Sequence, residues 1–458
     1  MSSVCPRPTV AVVGAGAAGT LVAVQVCETA LRRARPLDLV LIDPAPEAGR
    51  GAAYATRDPE HRLNVPAGGM SCYPEDPEHF LRWLCRHGRP EVSAGDFVSR
   101  YRYGSYLADT LGRAVIAAHG TVSVRRLRVA VDGCAWPSDG RARLRLADGR
   151  TVSADSVVLA TGPAPGGGWI PEELREAPGF VARPWAPGAL DALAEADGDV
   201  LLVGSGLTAV DLALSLQRVD RTVHSASRNG LLPQSHTTSP QPPLPPPPEL
   251  AEGMPLDRLR TVVRRHLAAA VREHGDWRPA MDGLRPVTAR MWQGLSERDR
   301  AVAISRDATR WNVHRHRMAP ATAQAVDQAR STGRLRLHTG RLASVRPLED
   351  GRFDAVLASG SRLTVRWVVD CTGPGDRLDA SGDPLWSGLL SEGLAVAGPL
   401  GMGVATERGR LCDADGDTSR PLYTLGAPRQ GELWETTAMP EIRVQAAELA
   451  ADLVPAAP

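Results

Sequence analysis

The stretch that decides the fold is TVAVVGAGAAGTLVAVQV, residues 9–26. A short run typical of a buried strand leads into a glycine-rich turn, and helix-forming residues follow. Gly14 permits the tight bend, Gly16 lets the backbone approach a pyrophosphate, and Gly19 lets the helix pack on the strand. The next strand pattern ends at Asp43, an acid placed to accept hydrogen bonds from a ribose. Together these features predict a Rossmann-like dinucleotide-binding unit.

The same pattern recurs in GDVLLVGSGLTAVDLALSLQ, residues 198–217. Its three glycine positions are occupied by Gly204, Gly206 and Ala209. The following strand, RTVHSASR, ends in Ser227 and Arg228 instead of an acid. An acid there would repel a 2′-phosphate, whereas an arginine beside serine hydroxyls would hold one. The second unit is therefore predicted to bind NADPH; the alternative is that Arg228 is only a solvated surface arginine.

Two dinucleotide units in one chain are typical of a flavoprotein with two cofactors, FAD in the first unit and NADPH in the second. Two apolar strands end in similar turns, ADSVVLATGP at 154–163 and RWVVDCTGPG at 366–375. Each is suited to a buried strand that ends near a cofactor. The turn residues expected at the cofactors are Thr161, Gly162 and Gly373. Alternating segments before each strand predict small β-meanders inserted in the FAD domain.

The predicted fold class is α/β, with two Rossmann-like dinucleotide-binding domains, for FAD and NADPH, and a helical insertion. The predicted ranges are 1–190 and 336–458 for the FAD domain, 191–241 and 312–335 for the NADPH domain, and 242–311 for the insertion. A proline-rich segment, SPQPPLPPPPEL, precedes apolar residues at helical spacing. We interpret the insertion as a cap on the cleft, hinged on a stiff polyproline arm. Recognition of the prolines by a partner is the alternative.

The bulk composition restricts the possible partners. The chain has 458 residues and a formal net charge of +1, which argues against a nucleic-acid binder. Its seven cysteines include no C-x-x-C pair, so neither a disulfide framework nor a dithiol centre is expected. No apolar run is long enough for a membrane span, and the first strand pattern leaves no room for a signal peptide. We expect a cytoplasmic protein without a membrane partner; a homodimer is one option for its assembly.

The run WNVHRHRMAP, residues 311–320, concentrates positive charge. Zinc needs three or four ligands, and no cysteine or acid lies within eight positions after His316. Asp307 and the separate His236 are the nearest conceivable additions, and no metal is expected. Two interpretations remain, a solvated basic turn and a cationic wall of the cleft. We favour the wall, which would meet a substrate carboxylate or an NADPH phosphate, with Trp311 as a packing anchor. The residues assigned to it are His314, Arg315, His316 and Arg317.

Five segments of the chain resemble a bacterial FAD/NAD(P)-binding family related to the flavin-dependent N-hydroxylating monooxygenases of class B type, which include amino-acid N-oxygenases. The resemblance covers nearly the whole chain, and its last three segments are distinctive. The segments are GRGAAYATRDPEHRLNVPAGGMSCYPEDPEHFLRWL, YRYGSYL, LLVGSGLTAVDLALSL, WNVHRHRMAP and LYTLGAPRQGELWETTAMPEIRVQA.

The resemblance implies an FAD- and NADPH-dependent monooxygenase that N-hydroxylates a small amino acid or another anionic amine. It would use dioxygen through a flavin C4a-hydroperoxide and act in a biosynthetic pathway. Two alternatives stay open. One is an NADPH-dependent flavin reductase or dehydrogenase, and the other is a non-catalytic flavin-binding sensor.

The resemblance also places Asn64 near the isoalloxazine, where its amide is the candidate catalytic group; an Asx-turn is the alternative role. Arg50, just after the ribose acid, is expected to meet the pyrophosphate or to lie on the surface. Many related flavoproteins have a Gly-Asp pair near the C-terminus, but here Gly426 is followed by alanine. Backbone amides or Arg429 would have to replace that acid.

The last helix of such flavoproteins points its N-terminus at the flavin, where the helix dipole favours the electron-rich edge. Thr437 is expected to lie at that end. Glu435 and Glu441 are the acids that the sequence offers as partners for a substrate amine, and capping is the alternative role of Glu441.

Overall fold

The structure, a computed structural model, describes residues 7–250 and 253–456. The outermost residues of the predicted FAD domain, 1–6 and 457–458, lie outside this part, as do residues 251–252 of the predicted insertion.

The strands, in chain order, are β1 (Thr9–Val13), β2 (Leu37–Ile42), β3 (Val122–Leu127), β4 (Val131–Ala135), β5 (Ala142–Leu146), β6 (Thr151–Ala154), β7 (Ser156–Leu159), β8 (Phe180–Val181), β9 (Val200–Val203), β10 (Val223–Ser227), β11 (Leu335–Thr339), β12 (Leu342–Pro347), β13 (Phe353–Leu357), β14 (Arg362–Val365), β15 (Trp367–Asp370), β16 (Thr406–Glu407), β17 (Arg410–Leu411) and β18 (Leu422–Thr424).

The α-helices are α1 (Ala17–Arg32), α2 (Gly51–Tyr54), α3 (His79–Arg86), α4 (Arg100–Ala117), α5 (Glu172–Arg175), α6 (Asp191–Glu195), α7 (Leu207–Ser215), α8 (Leu256–His274), α9 (Arg278–Gly283), α10 (Thr288–Gln293), α11 (Glu297–Arg306), α12 (Ala308–Arg315), α13 (Pro320–Ser331), α14 (Pro384–Ser391), α15 (Gln430–Leu433) and α16 (Met439–Leu453). Short 3-10 turns lie at Ala67–Gly69, Arg285–Val287, Pro399–Gly401 and Ala427–Arg429.

The first sheet has the strand order β16-β17-β18-β7-β1-β2-β3. The strands from β18 to β3 are parallel, and β16 and β17 extend the sheet in antiparallel fashion. Helices α1, α4 and α16 cover one face with an apolar core, while the meander β4–β6 and α14 cover the other. Because both faces are covered, β1 and β7 are apolar along nearly their whole length, as expected for buried parallel strands.

The second sheet has the order β11-β10-β9-β15-β8, and all of its strands are parallel. Helices α7 and α13 cover one face, and the meander β12–β14 with α5 covers the other. The plan of the first sheet is therefore repeated: strand, turn, helix, strand, and later a meander that leads directly into a central strand. The prediction of two Rossmann-like domains is confirmed.

The predicted boundary at residue 336 is wrong. Strands β12 to β15 follow it, yet β15 lies in the second sheet between β9 and β8, and the meander β12–β14 packs on that sheet. The second meander therefore belongs to the second domain and not, as predicted, to the FAD domain. Strand β8 also belongs to the second sheet, although it precedes the predicted start at residue 191. Strands that are neighbours in a sheet can be far apart in sequence. The local sequence pattern of a strand therefore does not show which sheet the strand joins.

The helical insertion lies in the connection from β10 to β11 and comprises α8 to α12. The polyproline segment lies against it: the Leu244 backbone N–H donates to the Pro279 carbonyl at 2.9 Å. A side chain at Gly283 would collide with the Leu244 backbone, so glycine permits this close approach. Among the described residues, no helix combines the length and the apolar character that a membrane crossing requires.

Candidate active site

The first glycine-rich turn fits a dinucleotide. Gly14 has φ +100°, and a Cβ there or at Gly19 would overlap backbone atoms of the strand and turn. Asp43, at the end of β2, accepts a hydrogen bond from the Ala15 N–H at 2.5 Å. The carboxylate therefore lies beside the turn, at the carboxyl edge of the sheet where such ligands bind. These residues fit FAD, with the turn against the pyrophosphate and Asp43 near the ribose.

The loop after Asp43 closes over this turn. A Cβ at Gly16 would come within 3.4 Å of the Gly51 Cα, so only a thin space separates the two backbones. The Arg50 guanidinium bonds to the Glu47 carboxylate, donates to the Tyr101 carbonyl at 3.1 Å and stacks on the Tyr101 ring at 4.2 Å. Arg50 is thus near the predicted pyrophosphate, but its donors already have partners within the protein.

The second turn repeats the geometry of the first. Gly204 has φ +123°, and its missing Cβ leaves room for the Cys371 carbonyl at the end of β15, just as Gly14 does for Ala160 at the end of β7. Nothing lies within 4 Å of the position that a Cβ would take at Gly206, which leaves space for a ligand. Ala209, in the third glycine position, is buried against the strand.

The residues predicted for the end of β10 lie at the mouth of this turn. The Ser205 hydroxyl donates to the Ser227 hydroxyl at 2.7 Å. Arg228 is exposed, and no acceptor among the described residues binds its side chain. This arrangement fits a 2′-phosphate, because hydroxyl groups and a free guanidinium are its usual partners.

The turns after the two central strands also correspond. Gly162 and Gly373 have φ +76° and +91°. The Thr161 hydroxyl accepts a hydrogen bond from the Trp386 indole at 3.0 Å, which fixes this turn to α14.

The start of α16 is held by a polar network. The Gln445 side chain accepts from the Gly426 N–H at 3.0 Å and donates to the Thr436 hydroxyl at 2.8 Å. Thr437 is exposed at the N-terminal end of α16. Arg429 is buried and donates to Thr406, Glu432 and Gln445, so its donors are used within the protein. Backbone amides thus remain the expected FAD contacts in this turn.

Two adjoining cavities lie where the first domain, the insertion and the start of α16 meet. Their volumes are about 110 Å³ and about 300 Å³. Both are lined by Asn64, Val65, Arg285 and Arg315. The smaller cavity also contacts His316, Trp434, Glu435, Thr437 and Glu441. The larger also contacts His236, Arg278, Asp282 and Arg317.

The four residues of the predicted cationic wall lie in different surroundings. His314 lines neither cavity; it bonds to the Arg310 carbonyl at 2.7 Å and packs edge-on against Trp277. His316 faces the smaller cavity, and burial lowers its pKa, so it favours the neutral form. Arg315 and Arg317 both contact the larger cavity.

Acids that are distant in sequence neutralise Arg315. Its Nε donates to both carboxylate oxygens of Glu435, at 2.9 and 3.0 Å, and its Nη1 to Asp282 at 3.3 Å. Glu435 accepts a further hydrogen bond from the Trp311 indole at 2.9 Å. Glu441 is similarly paired, with Arg285 at 2.5 and 2.6 Å. The two acids predicted as amine partners are therefore engaged by arginines in this structure.

The sequence did not single out three residues of the site, Arg285, Asp282 and Trp434, and it offered His236 only as a conceivable metal ligand. His236 lies beside Asn64, and its Nε2 contacts the Asn64 carbonyl oxygen at 3.0 Å. Burial, followed by the Arg317 charge, lowers the pKa of His236 to about 4, so the ring is neutral near pH 7. No local pattern marks Arg285, Asp282 or Trp434, because each reaches the site through contacts between residues that are distant in sequence.

The backbone at Trp434 is strained. Its φ and ψ are 63° and −70°, and the Glu435 N–H donates to the Leu433 carbonyl at 2.8 Å, which defines a rare γ-turn with positive φ. The Trp434 ring stacks on Trp292 of the insertion, with ring centroids 4.8 Å apart. The turn that presents Glu435 to the cavity is thus held by the insertion.

Comparisons with known proteins agree with this architecture. Residues 11–164 match the family model described as FAD-NAD(P)-binding. An ornithine N-hydroxylase from Kutzneria sp. 744 is 16% identical and superposes with a TM-score of 0.64 over 98% of this chain and 99% of that chain. The L-lysine 6-monooxygenase from Pseudomonas syringae is 18% identical, with a TM-score of 0.64 over 98% and 99%. The cadaverine monooxygenase of Erwinia amylovora is 13% identical, with a TM-score of 0.63 over 98% and 94%. No curated protein matches the sequence significantly.

The chain therefore carries an FAD/NAD(P)-binding domain within a two-domain flavoprotein fold. More particularly, the chain shares its fold with an ornithine N-hydroxylase, an L-lysine 6-monooxygenase and a cadaverine monooxygenase.

Proposed function

We propose that this protein is an FAD- and NADPH-dependent monooxygenase that N-hydroxylates a small amino acid or another anionic amine, with dioxygen as the second substrate. The observation that carries the proposal is the position of the two charged cavities. They lie at Asn64, between the first dinucleotide fold and the insertion, and the start of α16 forms part of the wall.

Each part of the chain has a role in this proposal. The Gly14 turn and Asp43 hold FAD, and Ser227 with Arg228 holds the 2′-phosphate of NADPH. The bound cofactors supply the redox and oxygen chemistry. Asn64 lines both cavities, so its side-chain amide is the polar group that we place beside the reacting centre.

The charged side chains around the smaller cavity form ion pairs, so none of these charges is left without a partner. Arg285 with Glu441 and Arg315 with Glu435 form two walls whose charges cancel. Such walls keep bulk water away from the reacting centre while they retain polar groups that can orient an amine. Neutral His236 and His316 add hydrogen-bonding groups without further positive charge.

The test is the stoichiometry of the reaction. The FAD-loaded protein is supplied with NADPH and oxygen and with each amino acid or amine of a panel, and three quantities are measured: NADPH consumed, hydrogen peroxide released and hydroxylated amine formed. A monooxygenase forms hydroxylated amine in place of peroxide when its substrate is present.

The other functions give different results in the same assay. NADPH consumption that always ends in peroxide, or in reduction of an added quinone, would identify a flavin reductase instead. A flavin that NADPH does not reduce under anaerobic conditions would identify a non-catalytic flavin-binding protein.

A further inference from the structure

Arg317 differs from the other arginines of the cleft in having buried donors without partners. Its side chain is 4% exposed, and its Nη2 donates to the Asp282 carboxylate at 2.5 Å. Its Nε and Nη1 have no acceptor among the residues that the structure describes. Buried polar groups without hydrogen bonds cost free energy, and the cost is larger for charged groups. A ligand that presents an oxyanion here would remove this cost.

The neighbouring Arg315 provides a comparison, because acids accept hydrogen bonds from its guanidinium. It is 6% exposed and donates to two acids, Glu435 and Asp282. One acid, Asp282, thus pairs with both arginines, whereas the second acid, Glu435, pairs with Arg315 and not with Arg317. The two acids balance the charges of the two arginines, and only Arg317 keeps buried donors without acceptors among the described residues.

The charges that line the two cavities point the same way. The larger cavity is lined by four arginines and two aspartates, and the glutamates that pair with Arg285 and Arg315 line only the smaller cavity. The residues are Arg278, Arg285, Arg315, Arg317, Asp276 and Asp282. In the smaller cavity two arginines face two glutamates, so the charges balance. Because these two acids face the smaller cavity, an anion meets less repulsion in the larger cavity than in the smaller one.

The guanidinium is also fixed in position. Its Cζ lies 5.8 Å from the centre of the Trp277 ring, and Asp282 holds one nitrogen. A donor group that is held before the ligand arrives loses little side-chain entropy on binding, which favours affinity for a small anion.

We propose that Arg317 is the anion-binding residue of the cleft and that a ligand oxyanion in the larger cavity completes its hydrogen bonds. The oxyanion is the carboxylate of the amine substrate or a phosphate of NADPH. The inference rests on the proposed function in one respect, because it takes the cleft as the place where substrate and NADPH meet.

The experiment compares binding to the oxidised, FAD-loaded protein, without turnover. The probes are acetate, its neutral isostere acetamide, and NADP⁺, each titrated by calorimetry into the wild type, Arg317→Gln and Arg317→Lys. Arg310→Gln is the matched control, because Arg310 is exposed on α12 close to the same run. Bound flavin and circular dichroism are measured for every variant.

We expect Arg317→Gln to weaken the binding of one oxyanion probe about tenfold or more, and Arg317→Lys to weaken it less, because lysine keeps the charge but not the donor geometry. Weaker acetate binding with unchanged acetamide binding identifies the substrate carboxylate as the partner. Weaker NADP⁺ binding with unchanged acetate binding identifies a phosphate.

Three results would overturn the proposal. The first is that neither acetate nor NADP⁺ binding changes, and the second is that acetate and acetamide weaken equally. The third is that both variants lose FAD, which would show that these donors serve the flavin or the fold. Because no turnover is needed, failure of N-hydroxylation in the stoichiometric assay would leave these results unaffected.

Discussion

Arg228 is exposed at the end of β10, beside the Ser205–Ser227 hydroxyl pair. If it binds the 2′-phosphate, Arg228→Ala removes a charge-assisted hydrogen bond that contributes about 1.5–3 kcal/mol. We expect the NADPH Michaelis constant for flavin reduction to rise about ten- to hundredfold, and that for NADH, which has no 2′-phosphate, to change little. Steady-state kinetics with both nucleotides measures the ratio.

The control for this variant is Arg330→Ala, which removes an exposed arginine at the far end of α13. Equal changes with NADPH and NADH for Arg228→Ala would show that this residue does not distinguish the two nucleotides.

The basic run shows how far residue-level prediction reaches. Its local sequence places four basic residues together, and two of them, Arg315 and Arg317, contact the larger cavity. It contains no information on the acids that neutralise Arg315, because Asp282 and Glu435 are 33 and 120 residues away in sequence. It also gives no indication that a helix ending at Arg315 turns His314 towards Trp277.

At the scale of the elements, the two glycine turns could be predicted because each is set by contiguous residues: a strand, small residues where the backbone must bend, and a helix. The assignment of β15 and its meander to the first domain failed for the opposite reason. Their sequence resembles that of β7 and its meander closely, and only pairing with β9 shows which sheet they belong to. Because the two domains repeat the same sequence pattern, each strand and helix can be predicted, but the sheet to which a strand belongs cannot.

The contact between α4 and α7 links the two domains through a buried ion pair. Arg100 Nη2 lies 2.7 Å from the Asp211 carboxylate, which is 5% exposed. Burial nevertheless raises the pKa of Asp211 from 3.8 to about 6. The folded protein therefore holds this proton more tightly than the unfolded chain, so the contribution of Asp211 to stability is complete below about pH 4 and is lost as the pH rises through about 6.

Asp211→Asn removes this titration. We expect the unfolding free energy of the wild type, relative to the variant, to fall by up to about 3 kcal/mol between about pH 4 and pH 7. Urea unfolding across this range measures the difference. Asp327→Asn, at an acid 76% exposed on α13, should show no such trend. A difference between wild type and Asp211→Asn that does not vary with pH would contradict the assignment.

The insertion is docked on α15 by Trp292, which stacks on Trp434 and donates to the Gly431 carbonyl at 2.8 Å. Trp292→Ala should cost about 3–5 kcal/mol of local packing energy. We expect faster amide hydrogen exchange throughout residues 256–315, because the insertion loses this docking contact. We also expect more peroxide per NADPH consumed, because the strained turn at Trp434 loses its support. FAD affinity should stay the same, since the core around α1 does not include Trp292.

Trp292→Phe should give an intermediate effect, because it keeps an aromatic ring but loses the indole donor. Val271→Ala, at a position 48% exposed on α8, is the control. Unchanged hydrogen exchange in Trp292→Ala would mean that the insertion is held mainly by its other contacts.

On the scale of the whole molecule, the same construction is used twice for two different ligands. In each half, a glycine at positive φ at the end of the first strand lies against the carbonyl of a central strand that is preceded by a meander. The halves differ in the side chains at the end of the second strand. The first half has Asp43 there, and the second has Ser227 and Arg228. The repeat provides the fold, and we expect these few side chains to determine which cofactor each half binds.

This symmetry allows a matched pair of substitutions, Gly14→Ala and Gly204→Ala. Each places a Cβ against a strand carbonyl at a φ that alanine rarely adopts, so each should distort its own turn by a similar amount. We expect Gly14→Ala to be purified with little flavin. Gly204→Ala should retain FAD but be reduced by NADPH far more slowly, and dithionite should still bleach its flavin at the normal rate. Flavin absorbance per protein and anaerobic stopped-flow reduction measure both. If Gly204→Ala lost its FAD as well, the two halves would not bind their cofactors independently, and the division of labour between the repeated domains would be wrong.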